Sequence, residues 1–425
     1  MKIQCLSRAL VCFLGMYIGS AQAVEFDIFQ SDYQPLNLAV LVDAEPENSS
    51  EQRLLQAIIE KDLESSQSFK ALDSAAFLVS AEESMQGIVY DDWKLIGTDV
   101  LVATKLTEHD SLWYVDVSVY RPFQGERLAM RSYEIQKDGL RALAHQVSDL
   151  VYESALGIPG YFNTHIVYVK KVGDQSDLMY MDQDTFNLQT IGRNFTLLLS
   201  PDWSPDGRFI ALNTYVGNRP RLELFDLNEG KRLPFGRFSG LNSTPEYSPD
   251  GRYIAAALSY TGNTEIHIYD LKTQTWKQFT DNPAIDTTPT WSPDGKWIAF
   301  TSNRSGSPQV YRQAVSGGKA QRVTFDSNYN TSPSWSPKGD RIALITRKKW
   351  EYALATVRVD GSDMRYLVTG NRVESPAWNP NGQMLLYSAE DHGVRQLYRI
   401  PSWGGHSESV TSPQNDASDP AWSKQ

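Results

Sequence analysis

Pro201-Asp202-Trp203-Ser204-Pro205-Asp206-Gly207 is the first complete copy of a motif that recurs through the second half of this chain. Four further copies follow it, and a truncated copy stands at the end of the chain. They begin at Pro245, Pro289, Pro333, Pro376 and Pro420. The aromatic residues of the six copies are 44, 44, 44, 43 and 44 positions apart. Such regular self-similarity is typical of repeat folds, including β-propellers.

Each copy predicts one strand, a turn and a second strand. The aromatic residue ends a short inner strand, and Pro-Asp-Gly forms a tight turn in which glycine supplies the positive φ. An apolar pair such as Ile254-Ala255 then marks a buried strand, and Ile266–Tyr269 marks a third. A short fourth strand completes each repeat. Four strands in about 44 residues make one propeller blade.

The truncated copy predicts how the propeller closes. Residues 419–423 supply only an innermost strand. The three missing strands are predicted before the first full repeat, at Thr164–Val169, Leu178–Met181 and Leu188–Ile191. Five full blades and this shared blade make a six-bladed β-propeller. An open solenoid would need a polar cap, which a strand ending in Trp422 does not provide.

The first 23 residues have the pattern of a secretory signal peptide. Lys2 and Arg8 precede or flank the apolar run at positions 9–18, and Ala21-Gln22-Ala23 is a small-x-small cleavage site. Its removal would take away both cysteines, Cys5 and Cys12. It would also remove two basic residues and change the formal charge from -11 to -13. We therefore expect an exported, thiol-free protein with no membrane span, and no nucleic acid or anionic membrane as its partner.

Residues 24–160 lack the repeat and predict an α/β domain, with the propeller at 161–425. Gly157-Ile158-Pro159-Gly160 marks the boundary. Hydrophobic patterning predicts three strands, Leu38–Val42, Asp99–Leu106 and Trp113–Tyr120. It also predicts two helices: Ser49–Glu64, opened by a Ser49-x-x-Gln52 capping box, and Asp138–Leu156, capped by Asp138.

No motif for catalysis is present in the sequence. The six histidines have no metal-ligand spacing, and neither a G-x-S-x-G elbow nor a phosphate-binding loop occurs. The repeated Ser-Pro-Asp-Gly aspartates are interpreted as turn residues, because Lys338 and Asn381 replace them in two copies. Asp182-x-Asp184 is interpreted as a hairpin tip. We expect no enzyme activity, cofactor or metal.

A closed propeller has a channel along its axis, and one end of this channel is the candidate binding surface. The segments that lead into the inner strands converge there, and they are mostly polar, as in Ile285-Asp286-Thr287 and Tyr329-Asn330-Thr331. Such residues could bind a protein or peptide. They could equally be loop residues that satisfy backbone groups. The sequence leaves both interpretations open.

Several stretches across the chain together resemble the TolB family, the periplasmic propellers of the Tol–Pal system. They are Ala284–Gly295, Phe300–Tyr311, Arg322–Phe325 and Glu374–Gly382 in the propeller, and Trp93–Asp99 and Leu140–Asp149 in the first domain. The resemblance covers essentially all of the chain after residue 23, in the same domain order. It implies a monomeric, non-enzymatic partner protein of the periplasm that supports outer-membrane integrity and envelope constriction during cell division.

The resemblance also implies two partners. The peptidoglycan-associated lipoprotein Pal would dock at the mouth, on Asn242, Thr244, Asp286, Thr287, Arg304, Asn330 and Glu374. The inner-membrane protein TolA would contact Val24, Glu25, Phe26, Asp27, Ile28, Phe29 and Gln30. The alternative is a periplasmic propeller that binds or cleaves glycans. Glycan cleavage predicts convergent histidines, arginines or carboxylates in the channel, and glycan binding predicts exposed aromatic residues at the mouth.

Overall fold

A mixed five-stranded sheet forms the first part of the chain. The computed structural model describes residues 34–370 and 372–424, so the predicted signal peptide and Val24–Gln30 lie outside the described residues. The strands are β1 (Leu36–Ala44), β2 (Phe69–Ala71), β3 (Val100–His109), β4 (Leu112–Arg121) and β5 (Glu126–Gln136). The helices are α1 (Ser49–Ser65), α2 (Ala81–Gln86), α3 (Tyr90–Leu95) and α4 (Leu140–Leu156). The strand order is β2-β1-β3-β4-β5, with β1 parallel to both of its neighbours.

Both faces of this sheet are covered, which explains the continuous apolar run in β1. Val40 and Val42 pack into the core that contains α1 and α4, whereas Ala39 and Leu41 pack with Trp93 of α3. A strand buried on both faces needs apolar residues at every position rather than at every second one.

The two predicted helix caps are wrong. Asn48 precedes α1 without a side-chain cap, and the Gln52 amide instead donates to the carbonyl of Val42. Asp138 lies in a 3-10 turn, and Gly139 precedes α4 without a side-chain cap. The predicted C-terminal stop of α4 is confirmed, because Gly157 adopts φ 71° and its N–H donates to Glu153 O over 2.8 Å.

Six four-stranded antiparallel sheets form the propeller, as predicted. The closing blade contains β6 (His165–Val172), β7 (Gln175–Asp182) and β8 (Gln189–Phe195). Blade 1 contains β9 (Leu198–Trp203), β10 (Phe209–Val216), β11 (Arg219–Asp226) and β12 (Lys231–Gly236). Blade 2 contains β13 (Asn242–Tyr247), β14 (Tyr253–Leu258), β15 (Glu265–Asp270) and β16 (Thr275–Gln278).

The remaining blades repeat this arrangement. Blade 3 contains β17 (Asp286–Trp291), β18 (Trp297–Ser302), β19 (Gln309–Ala314) and β20 (Gln321–Arg322). Blade 4 contains β21 (Asn330–Trp335), β22 (Arg341–Lys348), β23 (Glu351–Arg358) and β24 (Arg365–Gly370). Blade 5 contains β25 (Glu374–Trp378), β26 (Met384–Asp391), β27 (Val394–Pro401) and β28 (Glu408–Ser409). The last strand, β29 (Asp416–Trp422), pairs with β6 and closes the ring.

The repeated motif holds the turns and joins the blades. In blade 1, the Ser204 hydroxyl donates to Asp206 over 2.5 Å and accepts the Phe209 N–H over 2.8 Å. The interpretation of these aspartates as turn residues is therefore confirmed. The Trp203 indole donates to Ala421 O of the closing blade over 3.1 Å. The aromatic residue of one blade thus bonds to its neighbour's inner strand.

Ion pairs and hydrogen bonds join the first domain to the propeller. Buried Asp62 of α1 accepts from the Gln183 amide over 2.9 Å and lies 2.7 Å from Nδ1 of His145. Burial lowers the pKa of His145, but the hydrogen bond and charge of Asp62 outweigh this effect and raise it overall. Asp182 and Asp184 do lie at a hairpin end as predicted, but they are buried against the first domain, where Arg141 pairs with Asp184.

The segment between α4 and β6 is fixed by a buried carboxylate. Asp149 accepts the Phe162 N–H over 2.7 Å, and burial raises the pKa of Asp149 to about 6. Gly160 packs directly against Asp149, and a β-carbon at Gly160 would lie 2.3 Å from the Asp149 Cα. No side chain larger than hydrogen fits there without moving the backbone. Within the described ranges, no helix is long and apolar enough to cross a bilayer.

Candidate functional site: the channel mouth

The six inner strands surround a channel cavity of about 460 Å³. Each inner strand carries one bulge, where its pairing with the second strand shifts in register. The bulge residues have φ between 47° and 53° and each precedes a proline; they are Ser200, Thr244, Thr288, Ser332, Ser375 and Asp419. All six line the cavity. We call the end of the channel where the inner strands begin the channel mouth.

Three of the predicted partner-binding residues are fully buried. Asn242, Asp286 and Asn330 each begin an inner strand, and none has accessible surface. The Asn242 amide donates to Phe238 O over 2.9 Å and to Gly240 O over 3.1 Å, which fixes the loop ahead of its strand. In this structure these three side chains are buried and bond to groups of this chain, as the loop interpretation expects. Their direct contact with a partner stays a prediction.

Asp286 is held by the predicted site residue Arg304. The Arg304 guanidinium donates to Asp286 over 2.8 Å and to the Ser302 hydroxyl over 2.9 Å. Its carbon Cζ also lies 4.9 Å from the ring centre of Tyr311. These contacts hold Arg304 in one position at the channel mouth, and its charge compensates the buried carboxylate.

The other three predicted residues remain accessible. Thr287 is half-buried in β17, and Thr244, also half-buried, lines the cavity, although its hydroxyl oxygen is buried without a partner among the described residues. Glu374 is exposed at the start of β25. Partial burial of its carboxyl group and the nearby Asp419 raise the pKa of Glu374. The structure therefore brings the seven predicted residues to one end of the channel but exposes only some of them.

A set of exposed hydrophobic residues surrounds the channel mouth, and the sequence analysis did not identify it. These residues, which we call the mouth rim, are Val172, Leu197, Val216, Tyr260, Ile285 and Trp350. Hairpin tips and strand-entry loops meet there: the Tyr215 N–H donates to Leu197 O over 3.1 Å, and the Asn303 N–H donates to Ile285 O over 3.4 Å. Exposed apolar side chains around a polar opening are typical of protein-binding surfaces.

Two carboxylates face the cavity from neighbouring blades. Asp202 accepts the Tyr247 N–H over 2.7 Å, and Glu246 accepts the Trp291 N–H over 2.8 Å. Each carboxylate thereby joins its inner strand to the next blade. Burial and the negative charge of Asp202 raise the pKa of Glu246, and burial also raises that of Asp202 despite the nearby Lys424.

The raised pKa predicts that Glu246→Gln stabilises the protein in alkaline solution. Above pH 4.5, the ordinary pKa of glutamate, the unfolded chain loses a proton that Glu246 keeps in the folded state. The free energy of unfolding of the wild-type protein should therefore fall as the pH rises from 4.5 to the raised pKa of about 8. Glutamine keeps an acceptor but carries no charge. We expect the variant to gain about 1–3 kcal/mol at pH 8.5 and almost nothing at pH 4.5.

Melting temperatures at the two pH values test this prediction. Glu229→Gln, at an exposed hairpin position, is the matched control and should leave the melting temperature unchanged at both. An equal effect of Glu246→Gln at both pH values would show that the carboxylate titrates normally.

One group of metal-type donors lies outside the channel. His145, Asp182 and Asp184 bring an imidazole nitrogen and carboxylate oxygens within 4.8 Å of one another. Arg141 already supplies a cation there, because it pairs with Asp184 and its Nε lies 3.6 Å from Asp182. These residues therefore act as a charged contact between the two domains.

The fold and the channel define a two-domain β-propeller protein with a recessed mouth bordered by exposed hydrophobic residues. Residues 152–425 match the family model of the TolB beta propeller domain, and residues 24–128 match that of the TolB amino-terminal domain. The chain belongs to the TolB family.

Individual relatives agree with this assignment. The Tol-Pal system protein TolB of Paramagnetospirillum magneticum is 35% identical over 229 residues, which span 52% of this chain and 51% of that protein. The match thus spans about half the length of that curated relative. The crystal structure of TolB from Acinetobacter baumannii has a TM-score of 0.84 and 29% identity, and covers 92% of this chain and 97% of that one. A chain of a nidogen/laminin complex, at 8% identity and a TM-score of 0.51 over 61% of this chain and 98% of that one, shares the fold alone.

Proposed function

We propose that this protein is a non-enzymatic docking component of a Tol–Pal system in the periplasm, exported by a signal peptide at residues 1–23. Its channel mouth would bind a Pal-like lipoprotein, and Val24–Gln30 would bind a TolA-like inner-membrane protein. Through these partners it would support outer-membrane integrity and envelope constriction during cell division. We take residues 24–160 and 161–425 as its two domains. Family membership and the mouth rim support this proposal.

The mouth rim is the main observation that supports a lipoprotein site at this end of the channel. Ile285 is 50% exposed at the entry to β17, directly before the Asp286–Arg304 pair. Apolar side chains from several blades surround one concave opening, while serines, threonines and carboxylates alternate with prolines and tryptophans along its interior. A protein that enters this opening can bury the rim and still form hydrogen bonds within it.

Glycan cleavage is the second candidate, because Asp202 and Glu246 place two carboxylates in the channel. Glycosidases use such a pair, one member of which has a raised pKa. Here both carboxylates accept hydrogen bonds from main-chain N–H groups of the adjacent blade. Their oxygen lone pairs therefore stabilise the contact between neighbouring blades. This use favours a structural role for the pair over glycan cleavage. Glycan binding is favoured by the exposed aromatic rings of Tyr260 and Trp350, whereas the aliphatic rim residues Val172, Leu197, Val216 and Ile285 favour docking of a protein.

Photo-crosslinking locates the lipoprotein site. We would place a photoreactive phenylalanine at Ile285 or at Val315, in full-length protein, with the purified soluble domain of the organism's own peptidoglycan-associated lipoprotein as the probe. Both residues are exposed in blade 3, but Val315 follows β19 at the end away from the mouth, where its N–H donates to Lys296 O. We expect crosslinking from position 285 and almost none from 315. Equal crosslinking from both positions, or none from either, would contradict the proposal.

A further inference from the structure

The hairpin between β22 and β23 combines the most exposed large hydrophobic residue of the described chain with a cluster of cations. Trp350 is 98% exposed at its tip. Arg347, Lys348 and Lys349 precede it and form three consecutive basic residues. The acidic excess of the whole chain conceals this local positive charge. A tryptophan with no covering contact is a strong candidate for a binding anchor.

Aromatic rings order two of these cations without neutralising them. The Arg347 guanidinium lies 4.8 Å from the ring centre of Tyr329 and 4.9 Å from that of Tyr352. Its Nη2 also donates a hydrogen bond to the Tyr352 hydroxyl over 2.8 Å. The Lys348 ammonium lies 5.0 Å from the ring of Tyr366. In the part of the chain that the structure describes, no carboxylate pairs with these three basic residues. Glu351, the cross-strand neighbour of Lys348, adds one negative charge to the hairpin, so a net charge of about +2 faces a partner.

The hairpin belongs to the channel mouth. The Ser327 hydroxyl, in the loop that leads to β21, donates to Arg347 O over 3.2 Å. Trp350 is also one of the six mouth-rim residues, and its three consecutive cations exceed the two, Lys170 and Lys171, that precede Val172 of the rim. A protein that covers the channel mouth would therefore contact the Trp350 hairpin on the blade 4 side of the same surface.

We propose that Arg347–Trp350 anchors an acidic face of the protein that docks at the channel mouth, an inference that rests on the proposed function. Trp350 would enter an apolar pocket of that partner, and the three cations would face its carboxylates. Three consecutive cations at one corner of a chain that is acidic as a whole would favour one orientation of an acidic partner. The other five rim residues surround the same opening, which favours a protein occupant over a lipid surface that would touch only one tip.

Calorimetric titration of the full-length protein with the soluble, lipid-free lipoprotein domain tests this inference. We expect Trp350→Ala to weaken binding about 10- to 100-fold. Lys348→Gln with Lys349→Gln should weaken it about 3- to 10-fold and reduce its dependence on salt. Leu233→Ala, at an exposed position in outer strand β12, is the control and should bind like wild type.

The outcomes separate this inference from the proposed function. Wild-type affinity in Trp350→Ala, together with lost binding in the mouth variant Thr287→Arg, would overturn the anchor and leave mouth docking intact. No binding by the wild-type protein would overturn both. Unchanged affinity for the lipoprotein in Trp350→Ala, combined with loss of binding to phosphatidylglycerol vesicles, would identify a lipid surface as the occupant and also overturn the inference.

Discussion

Removal of β29 should abolish the cooperative melting of the propeller. A chain that ends at Asn415 lacks the strand whose residues pair with β6 from Asp416↔Lys171 to Trp422↔Ile166. It also lacks the Ala421 carbonyl that accepts the Trp203 indole N–H. β6 would then be an open edge of the closing blade, blade 1 would lose its packing against β29, and the cavity left by buried Trp422 alone costs about 3–5 kcal/mol. This loss approaches the whole stability of an ordinary domain, about 5–15 kcal/mol.

Differential scanning calorimetry measures this effect. The control is a chain shortened only by its last residue, which keeps Lys424 beside the channel carboxylates and the hydrogen bond of Ser423 to His165 O. The control should melt like the full chain, and the larger deletion should show no propeller transition. An unchanged transition after removal of β29 would mean that the ring does not depend on this closure.

The propeller could be predicted because its repeat encodes both the blade and the closure. The motif aromatics are spaced at one blade length, and a final copy with only one strand must find its three partners elsewhere in a closed ring. Local pattern was enough here, because several blades repeat the same contact: the indoles of Trp203, Trp291 and Trp378 each donate to a main-chain carbonyl of the preceding blade's inner strand.

The first domain was predicted less completely because tertiary contacts replace local ones. Gln52 has the spacing of a capping box, but its amide instead reaches the end of β1. The short helices α2 and α3 and the polar edge strand β5 have too few periodic apolar residues to be recognised. Burial of α1 and α4 on the sheet determines their ends more strongly than the residues at their first turns.

The mouth could be located from the sequence, but its accessible residues could not. An asparagine at a loop–strand junction can either bind a ligand or fix the loop. In this structure the amides of Asn242 and Asn330 donate to carbonyls of the preceding loops, at Phe238 and Ser327. The mouth rim was missed because its members come from two kinds of loop. Leu197 and Val216 are distant in sequence but meet at the same end of blade 1, where Tyr215 bonds to Leu197.

The second large effect concerns docking. Thr287 is half-buried in β17, one residue before the bulge at Thr288 and two after the exposed Ile285. Arginine at this position would place a long, charged side chain in the opening that a docked lipoprotein must enter. We expect Thr287→Arg to weaken lipoprotein binding at least about 100-fold, which corresponds to about 2.7 kcal/mol. The fold should tolerate the change, because the threonine side chain is only half-buried and lies at the open end of its strand.

Thr273→Arg provides a matched control for this variant. Thr273 is exposed in the turn between β15 and β16, at the end of blade 2 away from the mouth. It receives the same new side chain and charge, so any general electrostatic effect appears in both variants. Both proteins should melt within a few degrees of wild type.

The most direct test of docking at the channel mouth is calorimetric titration of these three proteins with the soluble lipoprotein domain. We expect saturable binding of one domain by the wild-type protein, the same affinity within about twofold for Thr273→Arg, and a loss of at least about 100-fold for Thr287→Arg. Wild-type affinity in a folded Thr287→Arg protein would contradict it and place the lipoprotein elsewhere on the molecule.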